Sequence, residues 1–334
     1  MTARADVALD TRETSHLSVG VLAYVRALRG LLPRVAPDLR TAFVGRGDNF
    51  DLAEQVGLPL ALARLRPRLA HFPAPFVPRW IPVPYLVTVH DVIDLEFPQY
   101  GKKKVGPYWR HLVAPVLRGA RAVIVDDERT VGPLVRYTGV DAARVRVIPL
   151  GVDEPEPLPG PALRARRYVF YAGNQRPHKD LPTLVRAWSA LPPAFAVDLV
   201  VTGPENAALR ALAHGPGELV FAGELDAGAL WAHHRGAAAY VHPALREGFG
   251  LPLLEALRVG TPVIAADAAV PRVLAGEVAT FPAGDVDALT ALLRRTLASS
   301  AARAQASAAR ARTAHLTWTR TVEATAALYR ELLR

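Results

Sequence analysis

The stretch Glu247-Gly248-Phe249-Gly250-Leu251-Pro252-Leu253-Leu254-Glu255 sets two carboxylates around a glycine pair, a proline and the start of an apolar run. Gly248 and Gly250 let the backbone turn sharply and approach a ligand closely. Pro252 suits the first helical position and Gly260 the helix end, so the pattern predicts a short helix over about Pro252 to Val259, with Glu255 in its first turn. The free N–H groups of the Phe249 to Leu251 segment then form an anion site for a diphosphate or for the oxygens of a sugar. A carboxylate near a helix N-terminus is favoured in its ionised form, so Glu247 and Glu255 read as acceptors for hydroxyl groups. Spacing alone is equally compatible with a capped surface helix.

Outward from this stretch, short β-type runs alternate with alanine- and leucine-rich helical stretches, the pattern of parallel sheets covered on both faces. Expected strands in the first half are Asp6 to Leu9, Thr41 to Val44, Leu69 to Phe72, Tyr85 to His90, Ala122 to Val125 and Val145 to Pro149. In the second half they are Tyr168 to Tyr171, Asp198 to Thr202, Leu219 to Ala222, Ala238 to Val241 and Pro262 to Ala265. Between the sets, the prolines of Gly151 to Pro161 forbid a helix and mark a linker. The expected class is α/β, with two Rossmann-like, doubly wound parallel-sheet domains facing a central cleft. In such sheets ligands bind beyond the carboxyl ends of the strands.

Composition agrees with a large soluble enzyme. At 334 residues and 51% hydrophobic the chain can bury two cores. With no cysteine, disulfides, thiolate metal sites and thiol catalysis are excluded together. Neither a signal peptide nor an apolar run near the roughly 18 residues of a membrane span is visible, so a cytoplasmic location is expected. The net charge of +9 is almost wholly arginine, since lysine occurs only at Lys102 to Lys104 and Lys179. Such a balance suits phosphate-bearing partners or reflects composition bias alone. No zinc spacing, aromatic-interleaved RNA motif or recognition helix favours nucleic acid.

Continued through Glu255-Ala-Leu-Arg-Val-Gly260-Thr-Pro-Val-Ile-Ala265, the opening stretch resembles the signature of glycosyltransferase group 1, also called family 4: an E-x7-E beginning Glu-Gly-Phe-Gly-Leu-Pro. The resemblance covers nearly the whole chain. It implies the two-domain GT-B fold, with an acceptor-side domain over 1–152, a proline-rich linker over 153–166, a nucleotide-sugar-binding domain over 167–316 and a C-terminal helix over 317–334. It also implies retaining transfer of a mannose- or glucose-type hexose from a GDP- or UDP-linked donor to a glycan or lipid-linked acceptor, as in polysaccharide biosynthesis, with no cofactor and no metal.

The resemblance assigns roles by position. Glu247 holds hydroxyls of the donor sugar and Glu255 those of the ribose, while Gly248, Phe249, Gly250 and Leu251 line the donor with backbone groups. Val87-Thr-Val-His90-Asp91 resembles the family's strand-end His-Asp, so His90 is expected to face the sugar through its neutral imidazole. The remaining histidines lack such a setting. In Asn174-Gln-Arg-Pro-His-Lys179-Asp180, Lys179 matches the lysine that contacts the donor's β-phosphate, and Arg176 stands in for a second cation that usually follows the glycine. Ser18-Val-Gly20-Val-Leu-Ala-Tyr24 resembles the glycine turn opening the first helix, with Leu22 and Ala23 replacing the family's second glycine and following arginine. Leu22, Asn174 and His178 motivate an alternative: a non-catalytic GT-B protein that binds a glycan or nucleotide and serves assembly.

Two further features bear on partners. Asp285-Val-Asp287 superficially fits a metal-binding Asp-x-Asp, but it precedes an apolar helical run, so Asp285 reads as an N-cap and Asp287 as a first-turn acid. The Lys102 to Lys104 run, near Tyr100, Tyr108, Trp109 and Arg110, offers a peripheral contact at the inner membrane face or simply a solvated helix face.

Overall fold

The computed structural model describes residues 4–14, 17–45, 47–48, 51–100, 103–162 and 164–334. Two compact units emerge, one from residues 1–151 and 316–334 and the other from 152–315. The first unit holds β1 (Val7–Asp10), β2 (Thr41–Val44), β3 (Leu69–Phe72), β4 (Tyr85–Thr88), β5 (Ala122–Val125) and β6 (Val145–Val147). All pair in parallel, in the order β2-β1-β3-β4-β5-β6. Every residue of β1, β3 and β5 is buried, which is why these strands, Asp10 and His71 apart, read as apolar runs rather than alternating ones.

In the second unit β7 (Tyr168–Tyr171), β8 (Asp198–Val201), β9 (Leu219–Phe221), β10 (Ala239–His242), β11 (Val263–Ala266) and β12 (Ala279–Phe281) form a parallel sheet ordered β12-β11-β10-β7-β8-β9. The direction of winding reverses between β7 and β10. At such a reversal the loops leaving the two central strands part to opposite faces and open a crevice. Tyr171, Val201, Val241 and Ile264 pack with Trp188 and Leu293 in one core, and Trp188 Nε1 finds the Val197 carbonyl at 2.9 Å.

Several strand boundaries differ from expectation by one or two residues, and one strand was not expected; three of these differences bear on the site or the sheet edge. β4 stops at Thr88, leaving His90 beyond the strand. β10 runs one residue later than expected and so contains His242. The edge strand β12 gave no signal because only Phe281 of its three residues is buried.

Five helices matter below: α1 (Val19–Val35), α2 (Leu181–Ser189), α3 (Ala227–Gly236), α4 (Leu251–Arg258) and α5 (Trp318–Leu333). The proline-rich residues 152–162 hold neither helix nor strand, and they lie along the second unit. Arg235 donates to the Pro159 carbonyl at 2.8 Å, Ala162 N–H to the Ala232 carbonyl at 2.8 Å, and Arg310 reaches Glu154 at 2.8 Å.

Helix α5 returns to the first unit and packs on α1. Its Tyr329 hydroxyl meets His71 Nδ1 at 2.5 Å, while His71 Nε2 meets Thr88 Oγ1 at 2.8 Å and Tyr24 completes the network at 3.2 Å. Burial, with the nearby His90 charge, pulls the His71 pKa down to about 3, so this staple is neutral. Where α5 begins, a Cβ placed on Gly151 would sit 2.0 Å from the Thr317 carbonyl carbon, a backbone atom that no rotamer can move aside. Gly151→Ala is therefore expected to lower stability by about 1–3 kcal/mol. Urea unfolding, with hydrogen exchange at α5 amides, checks this; unchanged protection of α5 would refute it. No helix among the described residues is long and apolar enough to cross a membrane.

Candidate active site

The loops that leave β7 and β10 meet at the reversal of the second sheet. The β7 exit ends in a short 3-10 turn, Pro177–Lys179, and the β10 exit runs from Pro243 to the start of α4. Leu245 N–H donates to the His178 carbonyl at 2.8 Å, which ties the two loops together. That tie sets Lys179 against Glu247, two residues expected to share a site, and the ammonium pairs with Glu247 Oε2. Both side chains are largely buried, 11% and 15% exposed, so little water screens the pair.

A second group reaches the same oxygen. His242 Nε2 lies 2.8 Å from Glu247 Oε2, and His242 Nδ1 lies 2.8 Å from the Tyr240 hydroxyl. Burial by itself would raise the Glu247 pKa, but the Lys179 charge and the His242 hydrogen bond outweigh it and hold the carboxyl well below the usual range. Glu247 is thus a firmly ionised acceptor. The histidine behind it stands among those the sequence left without a role. Its available signal was its place directly before Pro243, five residues ahead of Glu247.

Helix α4 begins at Leu251, one residue earlier than expected, because Gly250 takes a left-handed conformation (φ +81°) as its N-cap. Pro252 consequently falls in the second helical position and Glu255 in the second turn, beyond the first turn predicted for it. A Cβ on Gly250 would meet Leu253 Cδ1 at 2.9 Å and Glu247 Cγ at 3.3 Å, so this glycine permits both the turn and the carboxylate's position. Gly250 has no side chain to cap the helix, so the first N–H groups of α4 carry no N-cap bond. Gly248 and Phe249 are buried and Leu251 is half-buried. Gly260, at φ +68°, ends the segment as the sequence suggests.

Glu255 has a different neighbour. His234 of α3 places Nε2 3.4 Å from Glu255 Oε2, without hydrogen-bond geometry, and both atoms are buried. Arg176 is exposed at the head of the Pro177–Lys179 turn. Gln175 donates to the Thr202 and Pro204 carbonyls at 3.1 and 2.9 Å and accepts from Asn206 at 3.0 Å, fastening the β8 exit loop to the β7 exit loop. A broad concavity of about 610 Å³ in this unit, lined by Trp188, Glu205, Arg210 and Phe221, contains none of the expected site residues.

In the first unit, His90 has both ring nitrogens engaged: Nδ1 with Asp126 Oδ2 at 2.7 Å and Nε2 with the Pro73 carbonyl at 3.0 Å. A carbonyl only accepts, so Nε2 carries a proton, and Nδ1 shares another with Asp126. Burial disfavours the charged ring, but the Asp126 charge and hydrogen bond, with the Pro73 carbonyl, hold the His90 pKa above its ordinary value. Burial pushes Asp126 up as well, against the pull of His90. Both ring nitrogens of the imidazole expected to face a sugar are thus held by the protein itself, and the Asp126 contact favours the protonated ring. Gly20 lies within the first turn of α1 rather than in a turn before it, since Ser18 caps that helix by accepting from Val21 N–H at 3.4 Å.

Asp285 caps the helix Val286–Ala298 by accepting from Ala288 N–H at 2.9 Å, which accounts for the Asp-x-Asp spacing. Lys102 lies outside the described residues, while Lys103 and Lys104 are exposed. Two of the aromatic residues near them do not join an outward face: Trp109 is buried in the core and Tyr108 donates to the Pro75 carbonyl at 2.9 Å.

The chain resembles known proteins along most of its length. It is 24% identical over 241 residues to O-antigen chain mannosyltransferase B of Escherichia coli, covering 64% of this chain and 61% of that one. It is 28% identical over 221 residues to a D-inositol 3-phosphate glycosyltransferase of Acidothermus cellulolyticus, covering 56% and 48%. The chain therefore spans less than two thirds of the length of either relative. Among solved structures, the Anabaena HepE protein in complex with UDP and glucose shares the fold with a TM-score of 0.74 at 15% identity, covering 98% of this chain and 100% of that one. The model for glycosyl transferases group 1 matches residues 161–313, and that for glycosyltransferase family 4 matches residues 19–156. With one family model on each half, and the signature glutamate seated where the second sheet reverses, the chain belongs to the group 1, or family 4, glycosyltransferases and has the GT-B fold.

Proposed function

We propose that this chain is a retaining hexosyltransferase that moves a mannose- or glucose-type sugar from a GDP- or UDP-linked donor to a hydroxyl of a glycan or lipid-linked acceptor. The observation that carries this reading is the convergence of Lys179 and His242 on Glu247 Oε2, at the reversal of the second sheet. An acceptor-only carboxylate fixed by two donors suits a neutral polyol, and an ammonium beside it suits the diphosphate of the same ligand. The names of the E. coli and A. cellulolyticus relatives support glycosyl transfer, and the UDP and glucose bound to the Anabaena protein support a nucleotide-sugar donor.

In this reading Glu247 holds donor-sugar hydroxyls and Glu255 the ribose hydroxyls. Lys179, Arg176 and the N–H groups from Phe249 to Leu251 take the charge that develops on the leaving diphosphate, with no metal or cofactor required. The bond from the anomeric carbon to the phosphate oxygen breaks as the acceptor oxygen bonds to that carbon from the same face. The acceptor's proton passes to the departing phosphate oxygen, so no strong protein base is needed. Preorganised donors of this kind act mainly by stabilising charge in the transition state. His90 reaches a sugar hydroxyl only by giving up its bond to the Pro73 carbonyl. Exposed Lys103 and Lys104 provide a peripheral contact for an anionic membrane on which a lipid-linked acceptor is presented.

The test is a survey of GDP- and UDP-linked glucose, mannose, galactose and N-acetylglucosamine, reading release of nucleoside diphosphate and the anomeric configuration of the product. Release with retention is expected for at least one donor. Tight donor binding with no release would instead mark a binding protein.

A further inference from the structure

The Tyr240–His242–Glu247 row runs from the middle of β10 into the loop before α4, and each link is short. His242 is 1% exposed at its side chain, so water plays no part in choosing its protons. A carboxylate oxygen cannot donate, so Nε2 must carry hydrogen toward Glu247. In a neutral ring Nδ1 is then an acceptor, and the Tyr240 hydroxyl at 2.8 Å is the donor that satisfies it. The same hydroxyl also donates toward the Ala172 carbonyl at 3.3 Å, so its one proton is shared between two acceptors with the shorter contact to Nδ1.

The groups around the ring are Tyr171 of β7, whose ring stacks at 6.3 Å, Tyr240 of β10, Lys179 of the β7 exit and Glu247 itself. Burial, assisted by the Lys179 charge, lowers the His242 pKa against the opposing pull of Glu247, so the neutral ring is the resting form. Both His242 and Lys179 bond Oε2 of Glu247 and neither bonds Oε1. The carboxylate is therefore gripped at one oxygen.

We propose that His242 is a positioning residue that locks the Glu247 carboxylate with Oε1 turned to the donor sugar, and that Tyr240 fixes the tautomer in which His242 does so. This rests on the reading of Glu247 as the donor-sugar ligand. Lys179 supplies charge to Oε2, whereas His242 supplies direction from a rigid strand end, which a flexible four-carbon ammonium cannot.

His242→Phe keeps an aromatic ring and removes the donor, while His242→Gln restores an N–H near the place of Nε2. The expected result is a fall in kcat/KM of about ten- to a hundredfold in the Phe variant, the usual effect of deleting a hydrogen bond to a charged group. The acidic limb of its pH profile should move toward neutrality, and Gln should recover most of both losses. A Phe variant with parental rate and limb, or a Gln variant no better than Phe, overturns the proposal.

A second readout needs no turnover. In ¹⁵N-histidine NMR of the parent, His242 should show a neutral ring protonated at Nε2 at pH 7.5, and Tyr240→Phe should mix the tautomers. An Nδ1-protonated or doubly protonated ring at that pH overturns the proposal, even if the donor survey is negative and Glu247 has another ligand.

Discussion

Glu247→Ala and Lys179→Ala are each expected to lower kcat/KM by about a hundred- to a thousandfold while leaving the protein folded. The two side chains form one unit, since the ammonium and the carboxylate share Oε2. Removing either also misplaces the other, so the double variant should lose much less than the product of the single losses. The pair joins two exit loops rather than lying among the core side chains, so the destabilisation from leaving one partner unpaired falls on the loops and the two sheets stay folded.

A pH dependence follows from the same geometry. Lys179 and His242 hold the folded Glu247 pKa below its ordinary value. Its contribution to stability is present above the unfolded carboxylate range and is lost as pH falls through the folded value. In Lys179→Ala the folded value rises, so the stability gap between parent and variant should be widest at neutral pH and should close on acidification. Urea unfolding at several pH values checks the gap, and steady-state kinetics checks the rate. Near-parental turnover in either purified, folded variant would sink the assignment.

The parts of this fold that the sequence displayed are those governed by local chemistry. Buried parallel strands announce themselves as runs such as Ala122 to Val125, because both faces are covered. Gly250 and Gly260 marked α4 because only glycine adopts their left-handed backbone without strain. The joining of Lys179 to Glu247, 68 positions apart, was legible only through family resemblance, since nothing local connects them. His242 was hidden for the opposite reason: a histidine in an apolar strand looks like core until its partner across the loop is seen. His90 was placed correctly near a strand end, but its charge state depends on Asp126 and the Pro73 carbonyl, neither of which its own neighbourhood in the sequence reveals. The return of α5 to the first unit is likewise a tertiary fact, carried by Tyr329 and His71.

The largest expected effect on stability lies where the first sheet reverses, between β1 and β3. Arg12 is 3% exposed and grips Asp10 at 2.7 Å, Glu54 at 3.0 Å and the Phe76 carbonyl at 3.0 Å. Glu54 is fully buried and Asp10 nearly so. This guanidinium thus compensates two buried carboxylates and pins the β1 exit loop to the chain that follows β3. Arg12→Ala strips the cation from both, and breaking a buried ion pair in this way costs about 3–5 kcal/mol. Arg12→Met should cost nearly as much, because volume is restored and charge is not. Arg12→Lys should fall between, keeping the charge but losing the planar fork. If the loss comes from uncompensated charge, then Asp10→Asn, Arg12→Met and Glu54→Gln combined should recover most of it, since a neutral, well-packed replacement of a buried ionic cluster is often tolerated. Urea unfolding at pH 7 distinguishes the cases: a loss under about 1 kcal/mol in both Arg12→Ala and Arg12→Met would show that water enters and screens the carboxylates. A triple variant no more stable than Arg12→Met alone would show that packing, rather than charge, is what the cluster supplies.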